Sequence, residues 1–248
     1  MSIETYGTGD RIRVAARLSA SLPTGHLVIL PVPTTKDKKT VFGTDVLLSE
    51  TLVNVGEGSV VVGYGLPEEY KKKAEGLGAK LLDLSLCEDF LAENAHLTAI
   101  GTLAHVFKSE KKVPRDLRFG VVGYGRIGSR LVRMLLFFGA RVKVYTTKVL
   151  TSINLGECGV DCACSLDTSD GKYDFSGIDI LINTAPKDMT DAFENKKIPD
   201  GMRVIELASG DNFSGIEGVE KLPALPERAY PESAGREYFK AIEKFIKG

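Results

Sequence analysis

The stretch Phe119-Gly-Val-Val-Gly-Tyr-Gly-Arg-Ile-Gly128 limits what this chain can fold into more than any other. Phe119–Val122 is a short apolar run of the kind that forms a buried strand. Gly123, Gly125 and Gly128 follow as G-x-G-x-x-G. An apolar helical pattern runs from Ser129 to Phe138, Gly139 ends it, and Ala140–Tyr145 reads as the next strand. Strand, tight turn, helix and strand in this order are the context in which such glycines bind a dinucleotide. Gly123 permits the turn, Gly125 clears the approach to a pyrophosphate, and Gly128 lets helix and strand pack closely. The helix N-terminus offers unpaired N–H groups and the positive end of its dipole. Tyr124, Arg126 and Ile127 stand between the glycines, and the Arg126 guanidinium would lie next to the phosphates. The alternative is the same fold with an empty or degenerate site.

The second strand bears on which dinucleotide is bound. NAD enzymes place Asp or Glu about 20 residues beyond the glycines to hold the ribose 2′-OH. Here the strand ends Tyr145-Thr146-Thr147-Lys148, without a carboxylate. Two hydroxyls and a cation suit a 2′-phosphate, so NADP is expected ahead of NAD. Lys148 as an ordinary solvated lysine is the alternative. Asn183, Thr184 and Ala185 end a later strand beside the same site and join the cofactor-binding set.

Length and composition leave one large domain or two small ones. The net charge is −1 and the basic residues are scattered, which argues against a nucleic-acid surface. No apolar run approaches the roughly 18 residues that span a membrane, and the N-terminal segment lacks a signal peptide's apolar stretch. A soluble cytoplasmic protein is expected. Of the four cysteines, Cys158, Cys162 and Cys164 are spaced unlike a zinc ribbon or finger. Cys162 and Cys164, one residue apart on a likely strand, read as small buried residues with a redox or metal role as the alternative, and no metal site is expected.

The α/β alternation extends through the chain. Residues 1–9 read as a polar lead-in, Arg11–Ala20 as a helix and Leu27–Leu30 as the first strand, stopped by Pro31 and Pro33. A mobile, lysine-bearing loop is expected over Thr34–Val41, and a short helix over Thr44–Leu52. The strand Ser59–Val62, the helix Pro67–Gly76 and the strand Lys80–Leu84 follow. A long helix over Asp89–Lys108 connects two α/β units, and Lys111–Arg118 is a linker. After the fingerprint, strands are expected at Asp161–Ser165, Ile178–Asn183, Met202–Leu207 and Lys221–Ala224. Helices are expected at Asp188–Asn195, Gly215–Glu220 and Glu232–Ile246. The fold class is thus α/β, with two Rossmann-like parallel-sheet lobes, the first one shortened. Residues 1–112 would form a substrate-side lobe with the linking helix, and residues 113–230 the dinucleotide-binding domain. Residues 231–248 would be a helix returning to the first lobe.

Several segments, in order, resemble one family. Leu30-Pro-Val-Pro33, Glu93-Asn-Ala-His-Leu-Thr-Ala-Ile-Gly101, Val121–Gly128, Asp179–Pro186, Ile205-Glu-Leu-Ala-Ser209 and Pro231-Glu-Ser-Ala-Gly235 are similar to the A subunit of dipicolinate synthase. The nucleotide half is also similar to D-2-hydroxyacid dehydrogenases and to the NAD domain of adenosylhomocysteinase. The first resemblance implies an NADP-linked oxidoreductase acting on a cyclic dicarboxylate from the lysine pathway. It also implies a role in making dipicolinate for endospores, together with a smaller partner, a flavoprotein-like B subunit. A homo-oligomer is expected. Two departures stand out. The family opens with an extra strand and a glycine-rich turn, whereas the first strand here is read at Leu27. Ile100 replaces an acidic residue of the family's Thr-Ala-Glu-Gly.

A 2-hydroxyacid dehydrogenase needs an Arg to clamp a carboxylate and a His–Glu pair for proton transfer. The segment expected to hold that Arg reads Leu207-Ala-Ser-Gly-Asp211, and His26, His96 and His105 all lie in the first half. The remaining polar candidates are His96, Thr98 and Ser233 for catalysis, and Pro33, Asn94, Ser209 and Ser233 for substrate. Each is alternatively a cap or a satisfied core group. A second reading is a non-catalytic dinucleotide-binding sensor or scaffold subunit.

Overall fold

The computed structural model describes residues 2–146, 162–165 and 173–248. The strands are β1 (Ser2–Thr5), β2 (His26–Ile29), β3 (Ser59–Gly63), β4 (Lys80–Asp83), β5 (Arg118–Val122), β6 (Arg141–Thr146), β7 (Cys162–Ser165), β8 (Ile180–Asn183), β9 (Arg203–Glu206) and β10 (Val219–Lys221). The helices are α1 (Asp10–Ser19), α2 (Glu68–Gly76), α3 (Glu88–Ser109), α4 (Arg126–Phe137), α5 (Leu225–Ala229) and α6 (Pro231–Lys247). Two compact units divide the chain: residues 1–97 with 226–248, and residues 98–225. The boundary falls inside α3, so the linking helix belongs in part to each unit.

The first unit is built on a parallel sheet in the order β1-β2-β3-β4. Its central strands read as continuous apolar runs because both faces are covered. Leu27, Ile29, Val60 and Val62 enter one core with Ile12, Tyr238 and Ile242. Val28, Leu30 and Val61 enter another with Val41, Leu52 and Tyr70. The lead-in expected over residues 1–9 is corrected: Ser2–Thr5 pairs in parallel with His26–Ile29, and Gly7 (φ 102°) begins a glycine turn into α1. The sheet therefore opens before Leu27, as the family pattern does. Only Ile3 of the new strand packs on the core, while Glu4 accepts from Asn54 Nδ2 at 2.7 Å and Tyr6 Oη at 2.9 Å.

The C-terminal helix α6 lies against α1. Gly235 makes the approach close, since a Cβ there would stand 2.4 Å from Val14 Cβ and 2.9 Å from the Arg11 carbonyl oxygen. Tyr238 is fully buried and donates its hydroxyl to the Leu30 carbonyl at 2.8 Å. The loop after Thr34, expected to be mobile, is tied down. Asp37 accepts from the Lys39 and Thr40 amides at 2.9 and 2.8 Å, and Thr34 Oγ1 accepts from the Tyr64 amide at 2.7 Å. Within the helix expected over Thr44–Leu52, only Leu48–Leu52 is helical, as a 3-10 turn.

The second unit holds a parallel sheet in the order β10-β9-β8-β5-β6-β7. Phe119, Val121, Val142, Val144, Ile180, Ile182 and Ile205 point into one core with Leu131 and Leu135 of α4. Val122, Tyr145, Leu181 and Val204 point into the other with Phe175, Phe193 and Phe213. The helices expected at Asp188–Asn195 and Gly215–Glu220 are absent. The first segment has only a 3-10 turn at Glu194–Lys196, with Asn195 at positive φ. The second is turns leading into Val219–Lys221, which also replaces the strand expected at Lys221–Ala224. Cys87 is a free, half-buried thiol, Cys162 and Cys164 lie on β7, and Cys158 lies outside the described residues. Among the described residues no cluster could hold a metal ion, and no helix is long and apolar enough to cross a membrane.

Candidate functional site

The six-stranded sheet reverses its strand order between β5 and β8, whereas the four-stranded sheet runs in sequence order throughout. Ligands of open α/β sheets bind outside the carboxyl ends of the strands at such a reversal. Val122 and Asn183 are register partners at that end. The chain leaves β5 at Gly123, with φ 91° and its amide donating to the Tyr145 carbonyl at 2.7 Å. Thr184 leaves β8 and closes on the same turn. Its amide donates to the Val122 carbonyl at 2.8 Å, and its hydroxyl donates to the same oxygen at 2.9 Å.

Two of the glycines are demanded by contact. A Cβ on Gly123 would lie 2.7 Å from Thr184 Oγ1, and one on Gly128 only 2.1 Å from the Gly123 carbonyl oxygen. Gly125 differs: a Cβ there would meet nothing within 4 Å. It is the N-cap of α4, and no side chain caps that terminus. The glycine turn and the first-turn amides of α4, which no side chain caps, together form a cradle of backbone. This cradle fits a diphosphate. Arg126 is exposed at its mouth, and Arg130 Nη1 donates to the Arg126 carbonyl at 2.8 Å. Tyr124 and Ile127 are half-buried against the core beneath. Thr146 ends β6 and is buried, while Thr147 and Lys148 lie outside the described residues.

Asn183, Thr184 and Ala185 meet the glycine turn, but the two polar side chains point inward. Asn183 is fully buried. Its Oδ1 accepts from the Ala185 amide at 3.1 Å and its Nδ2 donates to the Ala185 carbonyl at 3.0 Å. The same Nδ2 lies 3.2 Å from both carboxylate oxygens of Glu206. Glu206 is 3% exposed and also accepts from the Ala208 amide at 2.7 Å and Asn212 Nδ2 at 3.2 Å. Burial pushes its carboxyl above the usual carboxylate range, against the hydrogen bonds from Asn183, Ala208 and Asn212. Ser209 is exposed and joins this loop through its carbonyl, which accepts from Asn212 Nδ2 at 3.2 Å. Sequence reasoning missed Glu206 and Asn212. The available signal was a lone carboxylate at the end of the apolar run Val204-Ile205.

The other candidates fall mostly in the first unit. Pro33, Asn94, His96 and Ser233 belong to the first unit, and Thr98 begins the second unit's share of α3. Thr98 is buried and its carbonyl accepts from Thr102 Oγ1 at 2.8 Å. Ser233 is exposed in the first turn of α6, next to Glu232, which pairs with Arg17 at 2.8 Å. Asn94 Oδ1 accepts from Arg11 Nη2 at 3.2 Å. Arg11 is 3% exposed and its Nε has no hydrogen-bond partner, a buried cation that the sequence pattern did not mark.

No family model and no curated protein matches the sequence. Solved structures do. The A subunit of dipicolinate synthase from Bacillus halodurans aligns over 100% of this chain and 98% of its own, with TM-score 0.76 at 19% identity. Its counterpart from Bacillus subtilis aligns over 100% and 96%, with TM-score 0.71 at 20% identity. D-lactate dehydrogenase from Escherichia coli aligns over 99% and 96%, with TM-score 0.52 at 12% identity. At these identities the likeness is one of fold: two parallel-sheet α/β lobes, similar throughout their length to the A subunit of dipicolinate synthase and more distantly to a 2-hydroxyacid dehydrogenase.

Proposed function

We propose that the chain is a nicotinamide-dinucleotide-dependent oxidoreductase acting on a small carboxylated substrate. The observation that carries this reading is the glycine turn: two positions admit no side chain, and the third is the N-cap of a helix that no side chain caps. Gly123, Tyr124, Gly125, Arg126, Ile127 and Gly128 would hold the pyrophosphate. Thr146, Thr147 and Lys148 would take the ribose and its 2′-phosphate, so NADP is favoured over NAD. Asn183, Thr184 and Ala185 would form the wall on the nicotinamide side. The cofactor would supply the hydride chemistry, leaving the protein to bind, orient and exclude water.

The likeness to the A subunit of dipicolinate synthase supports a cyclic dicarboxylate from the lysine and diaminopimelate pathway as substrate. It equally supports a partner in the form of a flavoprotein-like B subunit. Within that reading Pro33, Asn94, Ser209 and Ser233 contact substrate, and His96, Thr98 and Ser233 serve proton transfer. A second reading, a non-catalytic dinucleotide-binding subunit, draws on Ile100 in the family's acidic position. Titration with NADPH and NADH, followed by nucleotide fluorescence, tests the binding. NADPH is expected to bind more tightly, and oxidation or reduction on adding lysine-pathway dicarboxylates is expected to change absorbance. Binding without turnover across that series favours the second reading, and tighter NADH binding removes the 2′-phosphate argument.

A further inference from the structure

Glu206 has no part in the fingerprint, yet it organises the edge that faces the glycine turn. We propose that Glu206 is a positioning residue for nucleotide binding, holding Asn183 and the loop 207–212 so that Thr184 and Ala185 are fixed against Gly123. This rests on the reading of the second unit as a dinucleotide site.

Asn183 and Glu206 are register partners on β8 and β9, both at the carboxyl end. The Asn183 side chain grips both the amide and the carbonyl of Ala185, so its orientation sets that residue's backbone. Glu206 in turn fixes the Asn183 amide group through Nδ2. The carboxylate also gathers the Ala208 amide and Asn212 Nδ2. Asn212 then accepts the Met189 amide on its carbonyl at 2.7 Å, which extends the cluster to the segment beyond Ala185. The Thr184 hydroxyl is committed to the turn itself. One carboxylate thereby connects the ends of two strands and the loops after each.

Every partner of Glu206 is a donor. The ionised carboxylate accepts all of them, whereas protonation would turn an O–H against an N–H. Asn183 faces it from β8, Asn212 from the following loop, and Lys221 from the register position on β10. Lys221 is itself paired with Asp211 at 2.7 Å. Burial raises the Glu206 carboxyl, so two quantities move oppositely with pH. Folding stability from this group is present below the ordinary glutamate range and is lost as pH rises through the raised value. The hydrogen-bonded cluster is intact above the raised value and loosens as pH falls through it. A merely structural glutamate would not separate the two.

The test uses the full chain and Glu206→Gln, which keeps size but brings an NH2 group among donors. Affinity for NADPH and NADH is measured by fluorescence across weakly acid to neutral pH, alongside Tm and amide hydrogen exchange. In the wild type, affinity is expected to decline as pH falls. In E206Q it is expected to be weaker on the order of tenfold at neutral pH and flat across that range, with Tm not lowered. Glu206→Asp, shorter but charged, should recover the pH dependence. Equal affinity and pH profile in E206Q and wild type would overturn the proposal, as would an affinity loss matched by a drop in Tm and uniformly faster exchange. If the wild type binds neither nucleotide, the functional reading fails separately. Exchange at the Ala185 and Ala208 amides then decides whether Glu206 holds Asn183 and the loop 207–212 at all: selectively faster in E206Q supports that hold, and unchanged refutes it.

Discussion

Among the described glycines, Gly128 is the one where a side chain would press hardest on backbone. A single methyl group there would sit far inside van der Waals contact with the Gly123 carbonyl oxygen, and that backbone cannot yield cheaply. Gly128→Ala is therefore expected to cost about 1–3 kcal/mol through overpacking and to abolish nucleotide binding; urea denaturation and a fluorescence titration check the two parts. Arg11 gives the opposite expectation. Burial lowers its pKa, with Glu227 and Tyr238 opposing, and its Nε is unpaired. An unsatisfied buried donor costs about 1–3 kcal/mol, so Arg11→Met should leave Tm unchanged or raise it; a clear fall would show that the cation is better compensated than its hydrogen bonds indicate. The glycines were legible in the sequence because their constraint is local, a matter of turn and close approach within six positions. Glu206 and Arg11 were not, because their meaning depends on which strand or helix lies opposite. Nothing within a few residues of Glu206 points to Asn183 or Asn212.

Among the elements, those with a strong period were readable. Helix α4 and the strands β2, β3, β5, β6 and β8 follow from apolar runs bounded by glycine or proline. The failures share a cause. Met189, Ala192 and Phe193 have helical spacing and are all buried, but turns deliver them to the core, with Asn195 and Lys196 at positive φ. Ser2–Thr5 is too short and too exposed at the sheet edge for its alternation to register. Packing of α6 on α1 depends on Gly235, since a Cβ would press on Val14 and on the Arg11 backbone. Gly235→Val is expected to destabilise by about 1–3 kcal/mol, seen as a lower urea midpoint. Nucleotide binding by the second unit should persist below that midpoint; losing it in folded protein would tie α6 to the site more directly than its packing shows.

At the scale of the whole chain, acid should weaken the molecule through its paired carboxylates. Glu220 accepts from Arg203 at 2.9 and 3.0 Å and meets His105 at 2.9 Å. Its carboxyl lies below the usual range, chiefly through the Arg203 hydrogen bond. A lowered value contributes stability that is present above the ordinary glutamate pKa and is lost as pH falls through the depressed one. The Tm gap between wild type and Glu220→Gln should thus be largest near neutrality and close in acid; a gap constant with pH would mean that the ion pair contributes nothing. The division of the chain has a consequence for its synthesis. Residues 98–225 form one continuous stretch, whereas the first unit is made from both ends of the chain. On the ribosome, the second unit has all its residues before the helix carrying Tyr238 and Ile242 exists. Until residues 226–248 emerge, Ile12, Leu27 and Ile29 lack the partners they have in the finished core. Residues 1–97 are thus made before the second unit yet can close only after it, and until then their apolar face lacks the cover of residues 226–248.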